Sequence, residues 1–194
     1  MNAPASLPVV DGHVVRRLAL TDADDWADFA LLPEMQRFTS ANAASRADLQ
    51  AMVERTVADA DAPDRPDAPI LFTVRNALTR ELEATFGFHT VSARNRTAEL
   101  TYMVRPERWG RGLATALGEA AVRWAFDERA WVRVQATVLE PNVASIRVLQ
   151  KCGFAFEGRL RNFRIVQGAP RDFMLFSRVP AADAGIAAAP PGSD

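Results

Sequence analysis

Residues Glu99 to Glu119 constrain the fold more than any other stretch of this chain. A β-prone run, Glu99-Leu-Thr-Tyr-Met-Val104, meets Pro106, passes through Gly110 and Gly112, and opens into Leu113-Ala-Thr-Ala-Leu-Gly-Glu119. Proline cannot donate to a sheet ladder, so Pro106 ends the strand. Glycine admits a positive φ or the close approach of a ligand, which a Cβ would hinder. Leu113, Leu117, Ala120, Ala121 and Trp124 recur at helical spacing and give the next element one apolar face. A strand, a glycine loop and a helix in this order aim free backbone N–H groups at one point, where the helix dipole is positive. Such a point binds phosphate, although a bare Gly-x-Gly also reads as a tight turn with no ligand. No Gly-Lys-Ser/Thr follows, which excludes a Walker A loop. No third glycine at the right offset completes a dinucleotide fingerprint.

The rest of the chain narrows the class. Its 194 residues fit one domain. No apolar run approaches the roughly 18 residues of a membrane span, and residues 1–10 lack the basic and apolar regions of a secretory signal. Cys152 is the single cysteine, so no intrachain disulfide forms. With one cysteine and two histidines, His13 and His89, a metal site is not expected. The expected setting is reducing and cytoplasmic, with no membrane partner. Residues 101–180 hold 13 Arg and Lys against 7 Asp and Glu, and the remainder holds 10 against 17. The basic part carries the glycine loop, which suits an anionic ligand bound locally. A net charge of −1 and the lack of a basic stripe interleaved with aromatics argue against nucleic acid.

Along the chain, residues 1–12 read as a loose leader. His13–Leu20 reads as a strand, Thr21 or Asp22 caps a short helix through Phe29, and Ser45 caps a longer one with Leu49, Met52, Val53 and Val57 on its apolar face. Residues 60–69, with three prolines and three aspartates, read as a solvated loop. Strands are expected at 70–75, 82–90 and 97–104, then the glycine loop and a helix to about Glu128. A strand at 133–139 and a helix at 142–152 follow, with Gly153 as C-cap. A hairpin of 154–166 and 171–179 turns at Gln167-Gly-Ala-Pro170, and residues 180–194 read as a disordered Ala/Pro-rich tail. The order implies a single α/β domain over 13–179, with a right-handed crossover from the strand before the glycine loop to the strand at Arg133.

This order, with four local motifs, resembles the GCN5-related N-acetyltransferase (GNAT) superfamily and its RimJ/RimL-like, ribosomal-protein-alanine branch. The motifs are Ala98-Glu-Leu-Thr-Tyr102, Trp109-Gly-Arg-Gly-Leu-Ala-Thr115, Asn142-Val-Ala-Ser-Ile-Arg-Val-Leu-Gln-Lys-Cys-Gly-Phe154, and Glu157-Gly-Arg-Leu-Arg161 with Gly168 and Asp172. The resemblance implies a mixed, mostly antiparallel sheet splayed at its centre and flanked by helices. It implies acetyl-CoA as acyl donor, a primary amine as acceptor, direct transfer in a ternary complex and no metal. The superfamily's phosphate loop, Gln/Arg-x-x-Gly-x-Gly/Ala, maps onto Trp109, Gly110, Arg111, Gly112, Leu113 and Ala114, with Thr115 next. Trp109 departs from the broad pattern, but backbone N–H groups do the binding, so the departure matters little.

The splay implied between the strand of Tyr102, Met103 and Val104 and the strand at 134–138 leaves backbone groups for the pantetheine amides. An N–H near Met103 or Val104 is then placed to stabilise an oxyanion. Arg105, Arg108 and Arg111 are candidates to reach the phosphates. Asn142 is a good N-cap, and in the family an Asn here also bonds the cofactor arm. Ser145, one helical turn on, shares its face and is the candidate proton donor to the departing thiolate. Glu99 is the candidate base, acting through water. One branch enzyme type carries a catalytic Glu where this chain has Arg164, which weakens the carry-over of ribosomal specificity. Tyr102 either lines the thioester site or belongs to the core. Cys152 closes an apolar helix and reads as packed rather than nucleophilic. Neither histidine has a partner cluster in the sequence, and neither is assigned a role. The acidic half favours a cationic acceptor: a basic peptide N-terminus, a polyamine or an aminoglycoside. Homodimers are common in the family, and the sequence leaves oligomeric state open. A non-catalytic acyl-CoA sensor on the same fold is the competing reading.

Overall fold

The computed structural model describes residues 6–39, 43–62 and 64–181. Seven strands, β1 (His13–Arg17), β2 (Ile70–Asn76), β3 (Leu82–Ser92), β4 (Thr97–Val104), β5 (Arg133–Leu139), β6 (Ala155–Val166) and β7 (Ala169–Arg178), form one sheet in the order β1-β2-β3-β4-β5-β7-β6. Among the described residues, five α-helices flank it: α1 (Ala23–Ala30), α2 (Pro33–Gln36), α3 (Arg46–Asp61), α4 (Leu113–Asp127) and α5 (Val143–Lys151). Every strand pair is antiparallel except β4 with β5.

That parallel pair is short. Thr97, Ala98 and Glu99 face Arg133, Val134 and Gln135, and no pairing continues beyond them. β4 runs on to Val104 and β5 to Leu139, so the strands diverge past Glu99 and open a wedge in mid-sheet. The splay implied by the resemblance is therefore present.

Alternation along β4 divides two cores. Ala98, Leu100 and Val104 pack with Leu117, Ala121 and Trp124 of α4 and with Phe72, Phe86 and Phe88. Met103 turns to the other face, against Trp26 and Phe29 of α1 and Leu49 and Val53 of α3. Each fully buried side chain of this size contributes about 2 kcal/mol of transfer free energy.

Element boundaries depart from expectation at a few places. α3 continues to Asp61, into the stretch read as loop. α2 is an extra turn, begun by Pro33 at its first position, where a missing N–H costs nothing. β7 starts at Ala169, because Gln167 and Gly168 both adopt positive φ and close a two-residue hairpin. Of the expected leader, residues 1–5 lie outside the described residues, but 6–12 are docked. Val10 is buried in the α4-side core, and the buried Trp124 indole donates to the Ser6 carbonyl, since a sealed indole N–H requires an acceptor. Residues 182–194 of the expected tail lie outside the described residues. Among the described residues, no helix is long and apolar enough to cross a membrane.

Candidate active site

The β4–α4 connection is the loop the sequence singled out. Pro106–Arg108 form one 3-10 turn, and Gly110 and Gly112 adopt φ of 71° and 84°, where any other residue is strained. Gly112 caps α4. No side chain caps this helix, and its first turn holds no acidic residue. The N–H groups of Leu113, Ala114 and Thr115 have no intrahelical partner by helix geometry, so the dipole end stands open. Leu113 is buried and anchors the turn from below. The Trp109 indole N–H donates 2.7 Å to the Val104 carbonyl, so this residue braces the loop against the end of β4.

The arginines divide. Arg111 is exposed and forms no ion pair among the described residues. Arg108 was expected at the phosphates but is held elsewhere: its Nη2 lies 2.6 Å from the buried Glu83 carboxylate. A buried carboxylate needs a cation, and Arg108 supplies it, while His13 Nε2 lies 2.9 Å from the other carboxylate oxygen. Arg105 likewise is engaged, with its Nε donating to the Leu82 carbonyl and Nη1 3.1 Å from Glu81. Both arginines tie the loop to the start of β3.

Two polar groups meet across the wedge on the α4 side. Asn142 caps α5 by accepting the Ser145 N–H at 3.1 Å. The Ser145 hydroxyl lies 2.6 Å from the Tyr102 hydroxyl. Burial pushes the Tyr102 phenol up to about 12, with the Ser145 bond opposing, so it stays protonated at neutral pH. Tyr102 thus belongs with Ser145 and not simply with the core. Met103 points the other way, its sulfur 3.4 Å from the Trp26 indole nitrogen. Cys152 is buried, and burial pushes its thiol up to about 11, which makes it a packed residue and a poor nucleophile.

On the opposite face, Glu99 is 3% exposed at the vertex of the wedge. Its Oε1 accepts from Thr137 of β5 and, at 3.0 Å, from Arg164 of β6. Its Oε2 holds no bond among the described residues and is not sealed from solvent. His89 of β3 pairs with Glu99 across the strands, its Nε2 lying 3.8 Å from Oε1. Burial lowers the His89 imidazole below its usual 6.5; Glu99 raises it and Arg164 lowers it further. Sequence reasoning left His89 without a partner. Hairpin register alone would have set Thr90 opposite Glu99, because Ser92 pairs with Thr97; the register shift between His89 and Ser92 brings His89 there instead. Arg164, the departure from the branch pattern, is here the counter-ion of Glu99.

The acidic excess of the first half is largely taken up locally. Asp22 pairs with Arg16 and Arg75, Asp25 with Arg75, Asp28 with Arg46, and Glu83 with Arg108. Among the described residues, no group of three or more His, Cys, Asp or Glu is arranged to hold a metal ion.

Residues 14–155 match the model of the acetyltransferase (GNAT) domain, which covers well over half of the chain. The chain belongs to the GNAT family. Within it, the chain is 38% identical over 101 residues to the uncharacterized N-acetyltransferase YoaA of Bacillus subtilis, covering 52% of this chain and 57% of that one. It spans about half the length of the curated relatives that it matches at 30% identity or more. Among solved structures, ribosomal-protein-S5-alanine acetyltransferase from Vibrio fischeri superposes with a TM-score of 0.76, at 17% identity, over 88% of this chain and 94% of that one. Spermidine N-acetyltransferase from Vibrio cholerae, in complex with CoA and spermine, gives 0.74 at 19% identity, over 87% and 95%. These two likenesses are of fold.

Proposed function

We propose that this GNAT protein transfers an acetyl group from acetyl-CoA to a primary amine, directly and in a ternary complex. The observation that carries the reading is the wedge: unpaired β4 beyond Glu99 leads straight to an uncapped helix N-terminus behind Gly110 and Gly112. The residues fit the donor. The N–H groups of Leu113, Ala114 and Thr115 with Arg111 would hold its diphosphate, and the free edge of β4 at Tyr102, Met103 and Val104 would take its amides. When bound, acetyl-CoA supplies an activated thioester carbonyl. In this reading Ser145 gives a proton to the departing sulfur and the protonated Tyr102, hydrogen-bonded to it, restores it. The free backbone N–H groups of β4 past the vertex would stabilise the oxyanion. Glu99, on the acceptor face, would orient the amine through its carboxylate, directly or through a water.

The acceptor is read as a primary amine, because the vertex presents two hydrogen-bond acceptors, the Glu99 carboxylate and the His89 imidazole, beside the single guanidinium of Arg164. Named structural relatives act on a ribosomal-protein alanine and on spermidine, which makes a peptide N-terminus and a polyamine the first two to try. A sensor would require the donor cradle alone. The paired polar groups on both faces of the vertex favour the enzyme.

The test is direct. Purified protein is incubated with acetyl-CoA and a panel of polyamines, basic peptides and aminoglycosides, and thiol release is followed alongside calorimetry with CoA. Saturable binding heat and amine-dependent release are expected. Binding without release on any amine would support the sensor, and absence of binding would remove both readings.

A further inference from the structure

The gap between His89 and Glu99 is the feature that the reading above leaves unused. Their separation of 3.8 Å is too long for a direct hydrogen bond. It suits a third atom placed at about 2.8–2.9 Å from each. Every other contact holds the two groups still. Nδ1 of His89 lies 2.9 Å from the Thr90 hydroxyl oxygen, and Glu99 Oε1 is fixed by Thr137 and Arg164. The His89 side chain is 33% exposed, so the gap can be reached from solvent.

Resting on the acetyl-transfer reading, we propose that the acceptor's amine nitrogen docks between His89 Nε2 and the Glu99 carboxylate, and that His89 Nε2 accepts its proton. In the tautomer this requires, Nδ1–H donates to Thr90 and Nε2 presents its lone pair to the gap. One N–H bond of the ammonium breaks and an Nε2–H bond forms. The freed nitrogen lone pair attacks the acyl carbon. A second proton, shed as the amide bond forms and the C–S bond breaks, ends on the departing sulfur.

The charges around the gap support this division of labour. The groups facing His89 are Glu99 from β4, Arg164 from β6 and the neutral Thr90 beside it. Burial and Arg164 together keep the imidazole neutral at pH 7, as an acceptor must be. The same guanidinium disfavours a bound ammonium and so eases its deprotonation. Glu99, with Oε1 already held by two donors, is a weak proton acceptor but a fixed anion that stabilises the imidazolium once formed. Glu99 is then the positioning residue and His89 the catalytic one.

Two measurements test the assignment. The chain has two histidines, so imidazole NMR of the intact protein reads His89 after assignment with His89→Gln. His89 is expected to titrate below 6.5, and to move toward 6.5 or lower still when a substrate amine fills the gap, while the other histidine is unaffected. In kinetics, His89→Gln is expected to lower kcat/KM for the amine about 10- to 100-fold at pH 7. That deficit shrinks as pH rises past the amine pKa of about 8 for an α-amine. The KM for acetyl-CoA stays unchanged. A deficit equal at pH 6 and pH 9, no deficit, or a His89 resonance indifferent to amine overturns the inference and leaves acetyl transfer standing. A wild type that acetylates no amine removes both. If His89→Gln fails to fold, His13→Gln assigns the remaining resonance to His89, and the NMR of the wild type still decides.

Discussion

Tyr102 and Ser145 are joined by one short hydrogen bond, and their roles follow from which of them solvent can replenish. The phenol is buried and stays protonated, so it can return a proton that the serine hydroxyl has given away. Ser145→Ala should therefore lower kcat about 10- to 100-fold with the calorimetric Kd for CoA unchanged. Tyr102→Phe should lower it by less, because water can refill Ser145 more slowly. Equal and full activity in both variants would show that the thiolate leaves without help from this pair. Ser145 and Asn142 were legible as one helix face before any coordinates, because three-residue spacing is a local property. The Tyr102 contact was not, because it joins residues 43 apart, one on β4 and one on α5.

Elements carry the next layer. The sheet's last strand, β6, is irregular, with register shifts at Phe156/Gly158 and Leu160/Arg164. Glu157 falls at the first of these, where it accepts from both Arg133 guanidinium N–H groups and from Ser177. The Arg133 bonds hold its carboxyl down at about 2, against an ordinary 4.5. A depressed carboxyl contributes stability that is present above the unfolded value and is lost as pH falls through the folded one. Wild type should thus exceed Glu157→Gln in Tm at pH 6, and the two should converge as pH approaches 2. The pair is partly exposed, so the difference stays under about 1 kcal/mol. The second shift, at Arg164, turns this strand's guanidinium onto Glu99. Periodicity finds a strand at 154–166 but is silent on its bulges, since a bulge answers to the partner strand.

At the scale of the molecule, the α4-side core and the docked segment 6–12 act as one unit around Trp124. Its ring packs against Phe72, Phe88 and Trp131, and its N–H ties the chain's start to α4. Trp124→Phe keeps most of the packing and loses the bond to Ser6. A loss of about 1 kcal/mol, with faster amide exchange at 6–12 than elsewhere, is the expected result. Unchanged exchange there would mean that Val10 and Pro8 hold the segment by burial alone. The sequence showed an apolar helix face at Trp124 but read 6–12 as loose, because the segment has no period of its own.

What the sequence settled alone was local: the order of strands and helices, the proline that ends β4, the two glycines that turn the loop, and the uncapped helix beyond. These follow from backbone freedom and apolar spacing within a few residues of one another. The tertiary structure decided which polar side chains meet. Glu99, His89, Thr137 and Arg164 come from four strands, with Arg164 lying 65 residues from Glu99, and strand order and register alone bring them to one vertex. The same cause pairs Arg108 with Glu83, because a buried carboxylate on a neighbouring strand required its charge.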